Sequence, residues 1–231
     1  MSSVGQQMLL VSGNAPATIT YIGLTTIAGT TDSVSQPGVP IGTPRGDRYV
    51  FISTLWASDV AAALASASIG GITAKIHVNN GTGVGSGSVL GAAIISALVP
   101  TGTTATVVLN FVAGAAFHHP FLETYNVTGI ISDIPIDTIS ADPLAVQPYA
   151  DVIDVKKNGI MLLGASAYSA AAGYSMTGVT QDYDDIQGGS NQSVGGSLAV
   201  SADEVNHAVS ISRFGGSGSA FNAAVAAASF R

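Results

Sequence analysis

The chain has 231 residues, 47% hydrophobic and only 9% charged, with seven Lys or Arg against fourteen Asp or Glu for a formal net charge of −7. Ordinary soluble domains carry about 25% charged residues, so the surface here must be covered by Ser, Thr, Asn and Gly or shared with partners. Zero cysteines exclude disulfides, thiolate metal sites and cysteine nucleophiles; scattered cations, with Lys156-Lys157 the one adjacent pair, argue against nucleic acid; and no apolar run reaches the roughly 18 residues of a membrane span.

Met1 to Gly13 lacks a cation and does not read as a secretory signal, so residues 1–16 are expected to form an N-terminal arm. From Ala17 onward Val, Ile and Thr alternate with Gly and Pro punctuation, the residue choice of strands. Ala17–Leu24 alternates, and Arg48–Trp56 reads as a buried strand. Ser58–Ser68 fits a short helix, with Ser58 as cap and Gly70-Gly71 as stop, or a mobile Ala/Ser loop. Ile72–Val78 is the cleanest period of two, placing Ile72, Ala74, Ile76 and Val78 on one face. Val89–Val99 fits a strand or a short helix; Thr103–Val112 and Glu123–Ile131 read as strands.

Farther on, Val152–Val155 leads through Asn158-Gly159 into Ile160–Ala167. Asn-Gly tolerates positive φ, so a tight hairpin is expected there. Met176–Thr180, Val194–Ser201 and Ala208–Phe214 are further strands. Asn222–Arg231 is Ala-rich, which in isolation favours helix, but a final strand docking into a sheet is expected. Gly81–Ser88, Gly188–Gly196 and Gly215–Ser219 read as flexible loops by composition. The fold class is therefore all-β, an antiparallel β-sandwich of jelly-roll type over residues 17–231, with two similar Ig-like sandwich halves as the alternative.

The two halves echo each other. Ser68–Thr73 resembles Ser175–Thr180, Arg45–Ile52 corresponds to Lys157–Leu163, and Ala105–Phe111 to Ala208–Phe214, which marks a candidate internal repeat over 17–133 and 150–231.

Several phrases carry a resemblance: Asp47-Arg48-Tyr49-Val50-Phe51-Ile52, Gly70-Gly71-Ile72-Thr73-Ala74, Val99–Val108, Gly178–Asp184 and the terminal Ala226–Arg231. Taken in order, they resemble β-rich structural proteins of the virion or tail region of tailed bacteriophages, of alphaproteobacterial or marine type. The resemblance implies a virion location after synthesis in the host cytoplasm, and it carries over no active site.

Candidate sites are few. Asp182, Asp184 and Asp185 form an acidic cluster that suggests Ca²⁺, but Ile186 falls where an EF-hand would place its third ligand, and a solvated turn is the expected reading. Arg45-Gly46-Asp47 is an adhesion-type tripeptide abutting a buried strand, read here as a turn with an Asp–Arg pair at a strand mouth. His77, His118, His119 and His207 lack zinc-ligand spacing. Gly85-Ser86-Gly87 and Gly216-Ser217-Gly218 lack the setting of a nucleophile elbow, and no sequence signal joins Glu123 to Asp133. Asn80, Asn126 and Asn191 open glycosylation sequons read as chance matches. Tyr168, Tyr174 and Tyr183 flank a Gly/Ala-rich loop and are the candidate contacts for a glycan or protein partner, whereas Trp56 is expected in the core. No catalytic residue and no cofactor is assigned. The expected function is non-enzymatic: a virion structural protein decorating a capsid or forming part of a tail, making multi-copy contacts with itself and other virion proteins, without nucleic acid or membrane. The alternative is a carbohydrate-binding module of a tail fibre.

Overall fold

The computed structural model describes residues 15–27, 32–84, 89–112, 118–143, 148–168, 173–187, 191–214 and 222–231. Among the described residues there are strands and no helix. In chain order the strands are β1 (Thr18–Thr26), β2 (Ser33–Pro40), β3 (Tyr49–Ser58), β4 (Leu64–Ile69), β5 (Ile72–Thr73), β6 (Lys75–Val84), β7 (Val89–Leu98), β8 (Thr104–Phe111) and β9 (His118–Thr128). The second half adds β10 (Asp137–Ala141), β11 (Tyr149–Val155), β12 (Ile160–Tyr168), β13 (Gly173–Thr177), β14 (Thr180–Gln187), β15 (Asn191–Ala199), β16 (Glu204–Phe214) and β17 (Asn222–Phe230).

They form four antiparallel sheets. The first half has a large sheet, β1-β9-β3-β7-β6, and a small one, β2-β8-β4-β5. The second has β10-β17-β12-β15-β14 and β11-β16-β13. The orders correspond strand for strand: β10, β11, β12 and β13 take the places of β1, β2, β3 and β4, and β15, β16 and β17 those of β7, β8 and β9. The three sequence echoes fall on corresponding elements: the β4–β5 and β13–β14 turns, the entries to β3 and β12, and strands β8 and β16.

Three apolar layers hold the four sheets together. One lies inside the first half, one inside the second, and a third between the two large sheets, joining Phe51, Leu55, Ile94 and Tyr125 to Leu162, Ala226 and Phe230. Strands of the large sheets are therefore buried on both faces. On β3, Val50 and Ile52 enter the first-half core while Phe51 and Leu55 enter the seam between halves. On β17, Ala223, Val225 and Ala227 face the second-half core, and Ala224, Ala226, Ala228 and Phe230 face the seam. This explains why these segments read as unbroken apolar runs. It also explains why the Ala-rich terminus is a strand: pairing with β10 and β12 outweighs a local helix preference of a few tenths of a kcal/mol per residue.

Several expectations are corrected. Ser58–Ser68 holds no helix; β3 runs to Ser58, and β4 begins at Leu64, paired with β8 so that Leu64, Ala67 and Ile69 are buried. The 72–78 segment is not one alternating strand. It leaves the small sheet after Thr73 and joins the large one at Lys75, with a bulge between Ile76 and Val78. Ile72 is thereby exposed, and His77 joins Val78 on the seam side. Asn158-Gly159 makes a tight turn, with Asn158 at φ 66°, yet no hairpin follows, because β11 pairs with β16 while β12 pairs with β15 and β17. Gly195 and Gly196 lie inside β15 rather than in a loop, and Gly81 lies inside β6. The remaining flexible-loop expectations, 85–88, 188–190 and 215–219, and residues 1–14 of the N-terminal arm fall outside the described residues.

Candidate functional site

The turn before β3 carries the first feature. Arg45 Nε pairs with Asp47 Oδ1 at 2.7 Å, and both side chains are exposed. The Asp–Arg pair at this strand mouth is thus Arg45–Asp47, not Asp47 with Arg48. Arg48 instead points inward and is fully buried. Its guanidinium donates to five backbone carbonyls: Nε to Val99 (2.7 Å), Nη1 to Ile41 (3.3 Å) and Gly42 (2.8 Å), and Nη2 to Thr101 (2.7 Å) and Gly102 (3.0 Å). All five donors of the fork are used on loops that converge at one end of the first half. Burial pulls its pKa down from the ordinary value.

Beside this turn lies a groove of about 310 Å³, lined by Thr18, Thr20, Thr43, Arg45, Asn126 and Thr128 with Gly42 among them. Gly42 sits at φ 77°, and a side chain there would press on Asn126 and Ile22. Asn126 Nδ2 donates to the Thr43 carbonyl (3.1 Å), and Arg45 Nη1 reaches Thr128 Oγ1 at 3.5 Å. The lining combines hydroxyl, amide and guanidinium groups with the apolar Ile22 and Pro44, and holds no aromatic ring.

A second feature lies in the seam. Glu123 on β9 is fully buried, opposite Ser53 on β3. It is hydrogen-bonded with the Tyr125 hydroxyl, which also donates to Asp182 Oδ2 (2.9 Å) across the seam. Tyr21 on β1 stacks on Tyr183 of β14, with ring centroids 6.3 Å apart. Gly195 makes room, since a methyl there would collide with both carboxyl oxygens of Glu123. Burial pushes Glu123 well above the usual carboxylate range, and burial with the nearby carboxylates raises Tyr125 and Tyr183 and pushes Tyr21 up to about 12.

The acidic residues of β14 do not converge. A bulge between Gln181 and Tyr183 sends Asp182 to Tyr125 in the first half, whereas Asp184 Oδ2 accepts from the Tyr174 amide (2.8 Å) in the opposite layer. Among the described residues no group of three or more His, Asp or Glu could hold a metal ion. The solvated turn expected for Asp182, Asp184 and Asp185 is instead strand β14, and the Ca²⁺ suggestion gives way to two separate structural roles for Asp182 and Asp184.

Two of the tyrosine candidates, Tyr174 and Tyr183, are committed to the fold. Tyr174 is 2% exposed and donates to Gln192 Oε1 at 2.6 Å, so it is a core residue. Tyr183 is half-buried with its hydroxyl enclosed, committed to the stack with Tyr21. Tyr168 closes β12, and its side chain lies outside the described part. Trp56 is fully buried, packed over Gly91 and edge-on to Phe111.

Glu123 is linked to Asp182 through the Tyr125 hydroxyl, whereas Asp133 pairs with Lys75. His77 Nε2 lies 2.8 Å from Ser96 Oγ, but Ser96 is 1% exposed and the ring packs against Phe51 and Phe230, which closes this contact to a substrate. Burial lowers His77 to about 4, so the ring is neutral. His207 Nδ1 meets Glu204 Oε2 (2.8 Å) and its Nε2 meets the Gly178 carbonyl (2.7 Å). Asn80 of the first sequon is 5% exposed and joins the halves through Asp142 Oδ1 (2.7 Å), a position closed to a glycan. The Ser86 and Ser217 segments and the side chain of His118 lie outside the described residues.

No known family, curated protein or solved structure matches this chain. No described helix is long and apolar enough to cross a membrane. The Glu123 cluster escaped sequence reading because its members come from β1, β3, β9, β14 and β15, and no spacing links them. Its sequence signals, a glutamate in the predicted strand Glu123–Ile131 and the flagged Asp182 and Tyr183, were not linked to one another.

Proposed function

We propose that this chain is a non-enzymatic structural protein of a tailed-phage virion, decorating the capsid or forming part of the tail through repeated contacts with itself and other virion proteins. The observation that supports this most is the outer sheet of the first half. Its four strands, β2, β4, β5 and β8, contain no Asp, Glu, Lys or Arg. Its outward ranks run Ser33–Asn110–Ser66 and Ser35–Val108–Ser68, closed by hydrogen bonds such as Ser33 Oγ to Asn110 Oδ1 (2.8 Å) and Asn110 Nδ2 to Ser66 Oγ (2.9 Å). A face with no charge costs little to desolvate, which suits burial against a neighbour. Closed contacts between copies would also protect the edge strands.

The matching strand orders support reading each half as a jelly roll, and the pair as a tandem duplication. Sedimentation velocity of the purified chain, together with co-sedimentation with phage particles, tests the proposal. Self-association or particle binding is expected; a chain that stays monomeric at every concentration and leaves particles bare overturns it. The groove at Thr18, Thr20, Asn126 and Arg45 favours a second reading, a host-glycan module of a tail fibre, for which a glycan array with no hits is the contrary result.

A further inference from the structure

Glu123 sits where an ionised carboxyl has no cation to pair with and only the Tyr125 and Ser53 hydroxyls beside it. It is fully buried on β9, between two large sheets. The titratable groups acting on this cluster are Tyr21 from β1, Tyr125 from β9, and Asp182, Tyr183 and Asp185 from β14; none of them is a cation. Facing it from β15 is Gly195, so the carboxyl rests against bare backbone. A lone carboxylate in such a place is strongly disfavoured by desolvation, which a protein avoids by keeping the proton on.

The proton also decides the hydrogen bonding across the seam. A protonated Glu123 donates to the Tyr125 oxygen, leaving the Tyr125 hydroxyl to donate to Asp182 at 2.9 Å. That chain joins the first half to the second. Without the proton, the Glu123 and Asp182 carboxylates compete for the single Tyr125 hydrogen, and the bond across the seam is contested. We propose that Glu123 is a proton-operated latch on the seam: the two halves are locked at this end while Glu123 holds its proton, and loosened here when the proton is lost as pH rises. The Ala-rich stretch of the seam around Ala224, Ala226 and Ala228 is held by apolar contacts and stays packed.

The sign follows from linkage. Glu123 has a raised pKa in the folded state. The latch is therefore at full strength below the unfolded carboxyl pKa, about 4.3, and weakens steadily as pH rises until the folded pKa is passed. Over that span the unfolding constant grows toward about tenfold per pH unit.

The test compares thermal unfolding of the full chain with its Glu123→Gln variant between pH 5 and 9, alongside infrared spectra of both at neutral pH. The wild type is expected to lose stability with rising pH relative to Glu123→Gln, and to show the carbonyl stretch of a protonated carboxylic acid that the variant lacks. Protease cleavage within β14 should rise in the wild type as that band disappears. Parallel pH profiles for the two proteins overturn the latch. If Glu123→Gln does not fold, the wild-type spectrum decides: a missing protonated-acid band at neutral pH overturns it equally.

Discussion

Arg48 offers the sharpest perturbation of the fold. Replacing it with Met keeps much of the apolar stem and removes the guanidinium from five carbonyls. The bonds to Val99 and Ile41 lie in fully buried surroundings, whereas those to Gly42, Thr101 and Gly102 are partly open and can recover water. A buried acceptor left unmet costs about 1–3 kcal/mol, or about 2–6 kcal/mol for the two. Part is returned because no charge need be desolvated. The net expectation is a loss of about 2–4 kcal/mol, a fall in Tm of about 4–16 °C for a chain of this size. Arg48→Lys retains the charge with three donors for five acceptors, and should lose at least as much. Urea and thermal unfolding of both variants provide the check. A loss below about 0.5 kcal/mol for Arg48→Met, or a lysine variant equal to wild type, would refute the clamp.

Gly195→Ala is expected to destabilise by about 1–3 kcal/mol through overpacking against Glu123; adding Glu123→Ala should relieve part of this, read as a positive coupling in a double-mutant cycle. For His207, burial opposes the charge, but Glu204 and the Gly178 carbonyl outweigh it and raise the pKa. Its stabilisation is therefore present below about pH 6.5 and is lost as pH rises through the folded value, a step that His207→Gln should erase from a plot of Tm against pH. His77 acts in the opposite sense. Its folded pKa of about 4 means stability is lost as pH falls from about 6.5 toward that value, and His77→Phe should flatten this acid limb in the same melts.

The all-β class was legible because Val, Ile and Thr are spread along the chain, and the strands buried on both faces announced themselves as apolar runs. What misled were local signals overridden by tertiary contacts. Ser58–Ser68 carries helix-forming alanines, yet β8 supplies the pairing that makes Leu64–Ile69 a strand. Glycines at 195 and 196 looked like linker composition, whereas a side chain at either would meet Glu123 or the Thr180 carbonyl. β2 was missed because Pro37 and Gly38 interrupt its pattern; as an edge strand with a bulge it tolerates both. Arg48 was visible only as a charge before an apolar run. Its role depends on carbonyls from residues 41–42 and 99–102, which no local pattern connects to it.

The proposal that the uncharged outer sheet is a contact surface is tested most directly by placing charge on it. Sedimentation velocity of the wild type and of a Ser35→Lys, Thr106→Lys double variant, both exposed positions on β2 and β8, compares the same fold with and without the neutral face. The account predicts that the wild type self-associates or binds particles and that the variant, with an unchanged melting temperature, does neither. A variant that assembles as well as the wild type would contradict it.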